Sequence, residues 1–125
     1  MINLIEKYKG FIFDLDGTIY RGTHLIPDAD KTVNHLKKLG KKVIFISNKT
    51  TGSVKDYYQF LSGNGLEVTQ EEIVNSTIVT KKYLKENFIG ASFFAIGEKI
   101  FIDEIKSAGL NYSEDPADIN ILVVT

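Results

Sequence analysis

The 125-residue sequence contains no cysteine, only two prolines and almost balanced charges. Without cysteine the chain has no disulfide bond and no thiolate for catalysis or metal binding. A net charge of −1 does not indicate binding to nucleic acid or to a charged membrane surface. The longest apolar runs have about five residues, against roughly 20 for a membrane-spanning helix. No signal-peptide apolar block precedes Gly10, so we expect a cytoplasmic protein.

The bulk composition is that of a globular chain. Hydrophobic residues make up 43% of the sequence and charged residues 25%. A chain of this length fits one ordinary domain and buries roughly two thirds of its unfolded surface. A true apolar core is therefore expected.

Apolar spacing divides the first half of the chain into strands and helices. Strands are predicted at Phe11–Phe13 and Lys42–Ser47, because each is a short apolar run that ends in polar residues. Between them Asp28 is expected to cap a helix that Gly40 terminates. Ser53 is expected to cap a further helix. The inward-facing residues of the two helices are predicted to be Ala29, Val33, Leu36, Val54, Tyr57, Tyr58 and Leu61.

The second half continues the alternation. Thr69 and Glu72 have the spacing of a capping box, which predicts a helical stretch reaching about Asn87. Strands are predicted at Phe93–Ile96 and Ile119–Val124. The helix between them is predicted to bury Phe101, Ile105 and Ala108 and to end at Gly109.

This order of elements predicts an open, mostly parallel, Rossmann-like three-layer α/β fold. Sheets of that kind bind ligands at the carboxyl ends of their strands. Asp14 and Asp16 follow the first predicted strand, and Ser47 and Asn48 follow the second. These polar residues are therefore the candidate functional site.

The two acids suggest phosphate chemistry. Asp14 and Asp16 are two residues apart, so both carboxylates can face one site. Two close acids repel each other unless a cation or a proton lies between them, and Mg²⁺ suits carboxylate and phosphate oxygens together. One acid can attack phosphorus to form an aspartyl-phosphate, while the other protonates the leaving oxygen and then activates water. Gly17 lets backbone amides approach a phosphate, although Asp-Gly is also a common turn dipeptide.

The second strand end adds neutral donors. Ser47 and Asn48 could hold phosphate oxygens beside Asp14, because a right-handed β-α-β crossover makes the two strands near neighbours. The alternative is that serine and asparagine serve only as ordinary loop residues at a strand end.

The segment Asp14-Leu15-Asp16-Gly17-Thr18 resembles DxDG[TV], the first motif of the haloacid dehalogenase superfamily, and Ser47 after an apolar strand resembles the second. The strings FDLDGTIYRG and VIFISNKTTGS are similar to its NagD-like, para-nitrophenylphosphatase branch. This resemblance implies that Asp14 is the nucleophile and Asp16 the general acid/base. It implies Mg²⁺ bound by the Asp14 side chain and the Asp16 carbonyl. The phosphate-binding residues that it implies are Gly17, Thr18, Ser47 and Asn48, with Tyr20–Gly22 in a flap beside them.

A complete member of this family also has a lysine and a late acidic motif, GDxxxD or GDxxxxD. The internal candidate for the late motif is Gly97–Asp103, which reads GExxxxD after a predicted strand. The lysine would then be Lys81, Lys82 or Lys85. The alternative, which we favour, is that Phe94–Glu98 opens an inserted Rossmann-like cap.

On that alternative, residues 1–88 form the N-terminal part of the core and residues 89–125 the first part of the cap. The chain would then be truncated, with weak or no turnover by itself. Uncovered sheet edges would also favour self-association into a homo-oligomer.

Two functions therefore remain after the sequence analysis. The first is a Mg²⁺-dependent phosphatase that hydrolyses small phosphorylated metabolites, with neither a nucleic acid nor a membrane as partner. The second is a non-catalytic module that binds phosphate and metal without turnover. A phospho-acceptor receiver domain also uses a strand-end aspartate, but the Ser-Asn strand end makes it a poorer match.

Overall fold

The computed structural model describes residues 4–125. These residues divide into two compact units. The first unit runs up to Ser47 and includes Val54–Val74, and the second comprises Asn48–Ser53 and Asn75–Thr125. The predicted domain division after residue 88 remains a prediction.

The elements alternate as the sequence predicts, with α/β composition and parallel pairing in the main sheets. The first unit contains α1 (Leu4–Lys7), β1 (Gly10–Asp14), β2 (Tyr20–Arg21), β3 (His24–Leu25), α2 (Ala29–Lys38), β4 (Lys42–Ser47), α3 (Val54–Gly63) and a 3-10 turn (Gln70–Glu72). The strand β5 (Ile73–Asn75) follows. The second unit contains α4 (Ser76–Asn87), β6 (Ser92–Ile96), α5 (Lys99–Lys106), β7 (Asn111–Tyr112) and β8 (Ile121–Val124).

The sheet of the first unit has the order β1-β4-β5, and β1 pairs with β4 in parallel from Gly10↔Lys42 to Asp14↔Ile46. Residues of α2 and α3 belong to the same core cluster as Val43 and Phe45, so both helices pack on one face of this sheet. The core lies on that face, where Val43 and Phe45 are buried. On the opposite face Ile12 is 71% exposed and Ile46 43% exposed.

The predicted inward faces of α2 and α3 are confirmed. Of the predicted residues, Tyr58 and Val54 are partly buried against the core, and the others are buried in it. The buried members of this first core are Leu15, Ile19, Tyr20, Ala29, Val33, Leu36, Val43, Phe45, Tyr57, Leu61, Leu66 and Ile73.

The start of α2 differs from the expected side-chain cap. Asp28 holds the N-cap position, but its backbone is left-handed, with φ 65°, and its side chain makes no cap hydrogen bond. Its carboxylate instead accepts a hydrogen bond from Lys31 Nζ at 2.6 Å. At the other end Gly40 adopts φ 72°, which suits glycine and confirms the predicted helix stop.

The single helical stretch predicted from Thr69 to Asn87 is wrong. Thr69 and Glu72 do form a capping box, but the box closes only the short 3-10 turn. The chain then joins the sheet as β5. A new helix, α4, follows, and the Asn75 side chain caps its start by accepting a hydrogen bond from Ile78 N at 2.9 Å. Pairing with the sheet therefore interrupts the helix, although α4 does end at Asn87 as predicted.

The second unit has a parallel sheet of order β7-β6-β8. The second core contains Leu84, Phe93, Ala95, Phe101, Ile105 and Leu110. The opposite sheet face carries Ile96, Leu122 and Val124, which are 55%, 61% and 67% exposed. No helix within residues 4–125 is long and apolar enough to cross a membrane.

Candidate active site

Asp14 and Asp16 lie on either side of a buried leucine. Asp14 is the last residue of β1, and Asp16 belongs to the turn that follows. The Leu15 side chain is 0% exposed and belongs to the first core, whereas both flanking aspartates are exposed. Alternation along extended backbone therefore points the two carboxylates away from the core.

The turn after β1 is held by its own backbone. The Leu15 carbonyl accepts hydrogen bonds from the amides of Thr18, Ile19 and Tyr20 at 3.2, 2.9 and 3.3 Å. Gly17 N donates to the Tyr20 carbonyl at 2.7 Å, and Leu15 N donates to Ile46 O on β4 at 3.1 Å. These bonds tie the backbone that carries both acids to the central strand of the sheet.

Position 17 favours glycine because of its backbone conformation, and not because a larger side chain would lack space. Its φ is +86°, and a Cβ built there would meet nothing within 4 Å. Left-handed backbone of this kind favours glycine over other residues. Thr18 follows in the same turn with an exposed side chain.

Ser47 is brought beside the first strand end, as the sequence predicts. It is the last residue of β4 and follows Ile46, the register partner of Asp14. Its side chain is buried, with 7% exposure, and its Oγ lies 3.3 Å from the Tyr57 hydroxyl. Sequence reasoning treated Tyr57 only as a core residue, and its position in the first turn of α3 is the signal that could have suggested a contact with a strand end.

Asn48 belongs to the second compact unit. Its side chain is exposed, and its carbonyl accepts a hydrogen bond from Ser76 Oγ at 3.0 Å. Pairing within the first sheet therefore groups Asp14 with Ser47, and the turn adds Asp16, Gly17 and Thr18. The role of Asn48 remains a prediction.

The acids present suit part of a Mg²⁺ shell. Mg²⁺ in proteins commonly takes one or two carboxylates and completes its shell with water and substrate phosphate. The exposed Asp14 carboxylate and the backbone carbonyl of Asp16, on either side of Leu15, match part of that donor set. Among residues 4–125 no group of three or more histidine or acidic side chains could hold a metal ion.

The internal candidate for a late acidic motif lies in the second unit. Its Asp103 forms an ion pair with Lys99 along α5, with Nζ and Oδ2 2.5 Å apart. The hydrogen bond from Lys99 lowers the pKa of the Asp103 carboxyl below its ordinary value. Lys81, one of the candidate lysines, pairs with Glu104 at 3.1 Å. Both side chains therefore have partners in their own unit.

Known phosphatases resemble this chain over most of its length. Sugar-phosphatase AraL of Bacillus subtilis is 34% identical over 93% of the chain, which spans 43% of that protein. The p-nitrophenyl phosphatase structure from Archaeoglobus fulgidus is 37% identical, with a TM-score of 0.83, over 91% of this chain and 43% of its own. The chain thus spans less than half the length of these proteins.

More distant structures share the fold. NagD from E. coli superposes with a TM-score of 0.79 at 20% identity, over 93% of this chain and 45% of its own. Glycerol phosphate phosphatase Rv1692 from Mycobacterium tuberculosis, solved in complex with magnesium, superposes with a TM-score of 0.80 at 22% identity. That match covers 99% of this chain and 38% of the other.

The family itself follows from a match over most of the chain. The model of haloacid dehalogenase-like hydrolases matches residues 11–111, which include all of β1 except Gly10, the whole of β4 and both strand-end motifs. The resemblance inferred from the strand-end motifs is therefore confirmed, and the chain belongs to the haloacid dehalogenase-like hydrolase family.

Proposed function

We propose that this chain carries the nucleophile of a Mg²⁺-dependent phosphatase that hydrolyses small phosphomonoesters through an aspartyl-phosphate. The observation that carries the proposal is the parallel pairing of β1 with β4, which ends at Asp14↔Ile46. This pairing places the end of β1, where Asp14 and Asp16 expose their carboxylates, next to the end of β4. The last residue of β4 is Ser47.

In the first step a carboxylate oxygen of Asp14 attacks phosphorus, and the bond from phosphorus to the ester oxygen breaks. Asp16 donates a proton to the leaving alcohol. In the second step Asp16 takes a proton from a water molecule as that water attacks phosphorus, which releases phosphate and restores Asp14. The same acid thus serves as acid and then as base.

The remaining predicted residues would hold the phosphoryl group. Backbone amides of the turn at Gly17 and Thr18 and the hydroxyl of Ser47 are neutral donors suited to phosphoryl oxygens, and Asn48 would add a further donor. When bound by the Asp14 carboxylate and the Asp16 carbonyl, Mg²⁺ would neutralise charge on the phosphate. The magnesium complex of a fold relative supports this choice of metal.

The substrate class follows from the relatives and from the acids themselves. The similar proteins are named for sugar phosphates and p-nitrophenyl phosphate, which are small phosphomonoesters. We therefore propose a small phosphorylated metabolite as partner, with neither nucleic acid nor membrane involved. The cytoplasmic location and a homo-oligomeric state remain predictions.

A second candidate is binding without turnover by the 125 residues alone. It is favoured because residues 4–125 contain no group of three acidic or histidine side chains suited to a metal. A metal shell with fewer protein ligands should bind more weakly, which would slow phosphoryl transfer.

The test is hydrolysis of p-nitrophenyl phosphate with and without Mg²⁺. It compares the unsubstituted 125-residue chain, called the parent chain, with its Asp14→Asn variant. We expect any turnover to require Mg²⁺ and to fall at least about a thousandfold in the variant, because the attacking carboxylate is gone. Beryllofluoride, which mimics a phosphoryl group on a carboxylate, is expected to bind the parent chain in the presence of Mg²⁺ but not Asp14→Asn.

Asp118→Asn is the matched control, because Asp118 is an exposed acid in the second unit. It should leave both turnover and beryllofluoride binding unchanged. Beryllofluoride binding without turnover would favour the second candidate. Equal binding by the parent chain and Asp14→Asn would contradict both.

A further inference from the structure

A groove in the second compact unit lies between α4 and the residues that follow α5. It has a volume of about 710 Å³, and all of its lining residues lie within Asn75–Thr125. Volumes of about 300–1,000 Å³ are typical of small-molecule sites. Gly109 lines one wall, and a Cβ built there would meet nothing within 4 Å. The groove therefore has room for a small organic ligand.

Apolar side chains line this groove and remain exposed to water. Ile78 lies near the start of α4 and is 39% exposed, and Ile89 lies just beyond its end and is 84% exposed. Ala108, which follows α5, lines the groove from the other side. Exposed apolar side chains that share one concave surface mark a binding surface, whereas isolated ones do not. A ligand with an apolar body would remove this surface from water.

The charged side chains at the groove leave one positive charge uncompensated. Lys81 pairs with Glu104 at 3.1 Å, and Lys82 pairs with Glu86 at 4.0 Å. Lys85 lines the same groove and has no ion-pair partner among the described residues. Complementary charge favours the ligand that neutralises this ammonium. A single excess ammonium matches a ligand with one negative charge rather than a polyanion.

We propose that this groove binds a single-chain amphiphilic monocarboxylate of the fatty-acid type. The carboxylate accepts a charge-assisted hydrogen bond from the Lys85 ammonium, and the alkyl chain lies against Ile78 and Ile89. The site includes neither Asp14 nor the other strand-end residues. It is therefore a binding activity beyond the proposed phosphatase.

The test is an NMR titration of the ¹⁵N-labelled parent chain with octanoate, octylammonium and acetate. Octanoate has the alkyl chain and a negative charge, octylammonium has the chain with a positive charge, and acetate has the negative charge without the chain. For octanoate we expect saturable shifts at the amides of α4, Ala108 and Gly109, with a dissociation constant of about 1 mM or below. Octylammonium should bind at least about threefold more weakly, and acetate at least about tenfold more weakly.

Substitutions in the groove separate the charge from the apolar contact. Lys85→Gln removes the charge and keeps most of the stem, so octanoate should bind about two- to fivefold more weakly. Lys38→Gln is its matched control, because Lys38 is also an exposed lysine in the last turn of a helix, and it should bind as the parent chain does. Ile89→Ala should weaken octanoate binding about threefold, whereas Ile12→Ala, at an exposed residue of the first unit, should not.

Circular dichroism and urea unfolding establish that each variant is folded. Equal affinities for octanoate and octylammonium, or an unchanged affinity in Lys85→Gln, would overturn the inference, because the groove would then select no charge. Shifts confined to the exposed sheet face of Ile96, Leu122 and Val124 would overturn it too, since octanoate would then bind elsewhere. If sedimentation showed a dimer of the parent chain that Ile89→Ala disrupts, a second copy would occupy the groove, and the inference would fail.

Discussion

The two compact units build the same kind of scaffold and end their strands differently. In each, a three-stranded sheet with parallel pairing has a core on one face and exposed apolar residues on the other. In the first unit β1 ends at Asp14, and the following turn exposes Asp16. In the second unit β6 ends at the exposed Ile96, and Gly97 packs against Thr125. The chemistry thus depends on the residues that follow the strands rather than on the sheet.

The largest expected effect tests whether the two cores are separate. Phe45 and Phe93 are both 0% exposed and belong to different clusters. Replacing either with alanine should cost about 3–5 kcal/mol of unfolding free energy, because it leaves a cavity. Amide hydrogen exchange should accelerate in β1 and β4 for Phe45→Ala, and in β6 and β8 for Phe93→Ala.

Ile89→Ala provides the control, because Ile89 is 84% exposed. It should change the unfolding free energy by less than about 0.5 kcal/mol. If Phe45→Ala accelerated amide exchange equally in β6 and β8, the two cores would unfold together. That result would contradict the description of two separate cores.

A smaller effect distinguishes the glycines that follow the two strands. Gly17 has φ +86° and open space around it, so Gly17→Ala should cost about 1–2 kcal/mol through backbone strain alone. A Cβ at Gly97 would lie 2.7 Å from Thr125 Oγ1, so Gly97→Ala should cost about 1–3 kcal/mol through crowding. Urea unfolding measures both costs.

A second substitution sharpens the difference between them. Thr125→Ala removes the crowding atoms and should recover most of the loss in Gly97→Ala but none of the loss in Gly17→Ala. If Thr125→Ala restored the unfolding free energy of both variants, the two glycine substitutions would destabilise the chain for the same reason. Thr125→Ala alone is needed as a reference, because Thr125 also accepts a hydrogen bond from Thr50.

The smallest effects concern one exposed ion pair in each unit. Hydrogen bonding to Asp28 raises the pKa of Lys31 above its ordinary 10.5, so this pair stabilises the fold below that pH and loses its effect as pH rises through the raised value. Hydrogen bonding from Lys99 lowers the pKa of Asp103 below its ordinary 3.8. That pair stabilises the fold above pH 3.8 and loses its effect as pH falls through the lowered value.

Melting temperatures across pH check this contrast. Lys31→Gln should lower the melting temperature slightly at neutral pH and have no effect in strong alkali, and Asp103→Asn should lower it at neutral pH and have no effect in strong acid. High salt should shrink both differences, because the pairs are exposed. A pH dependence in the opposite direction for either variant would show that its pair does not act as described.

The sequence predicted the parts of the site that depend on pattern. The apolar run Lys42–Ser47 forms β4 with the predicted bounds, because a run of that length between polar residues has few alternatives. The neighbouring strand ends of Asp14 and Ser47 followed from the crossover rule, which applies whatever the loops contain.

The parts that it missed depend on contacts between distant residues. The strand β5 has only Ile73–Asn75, too few residues for a period, and it exists because the sheet accepts it. Aspartate commonly caps a helix through its side chain, but the Asp28 carboxylate accepts a hydrogen bond from Lys31 instead. The hydrogen bond between Tyr57 and Ser47 links two elements whose contact no local pattern encodes.

The register of the first sheet also fixes when the site can exist during synthesis. Because Gly10 pairs with Lys42, β1 leaves the ribosome about thirty residues before its neighbouring strand does. At a translation rate of roughly 5–20 residues per second, Ser47 emerges a few seconds after the two acids. A nascent chain that stops before β4 therefore has the carboxylates but not the hydroxyl beside them. We expect affinity for a phosphoryl group to appear in one step, once β4 has emerged, rather than gradually.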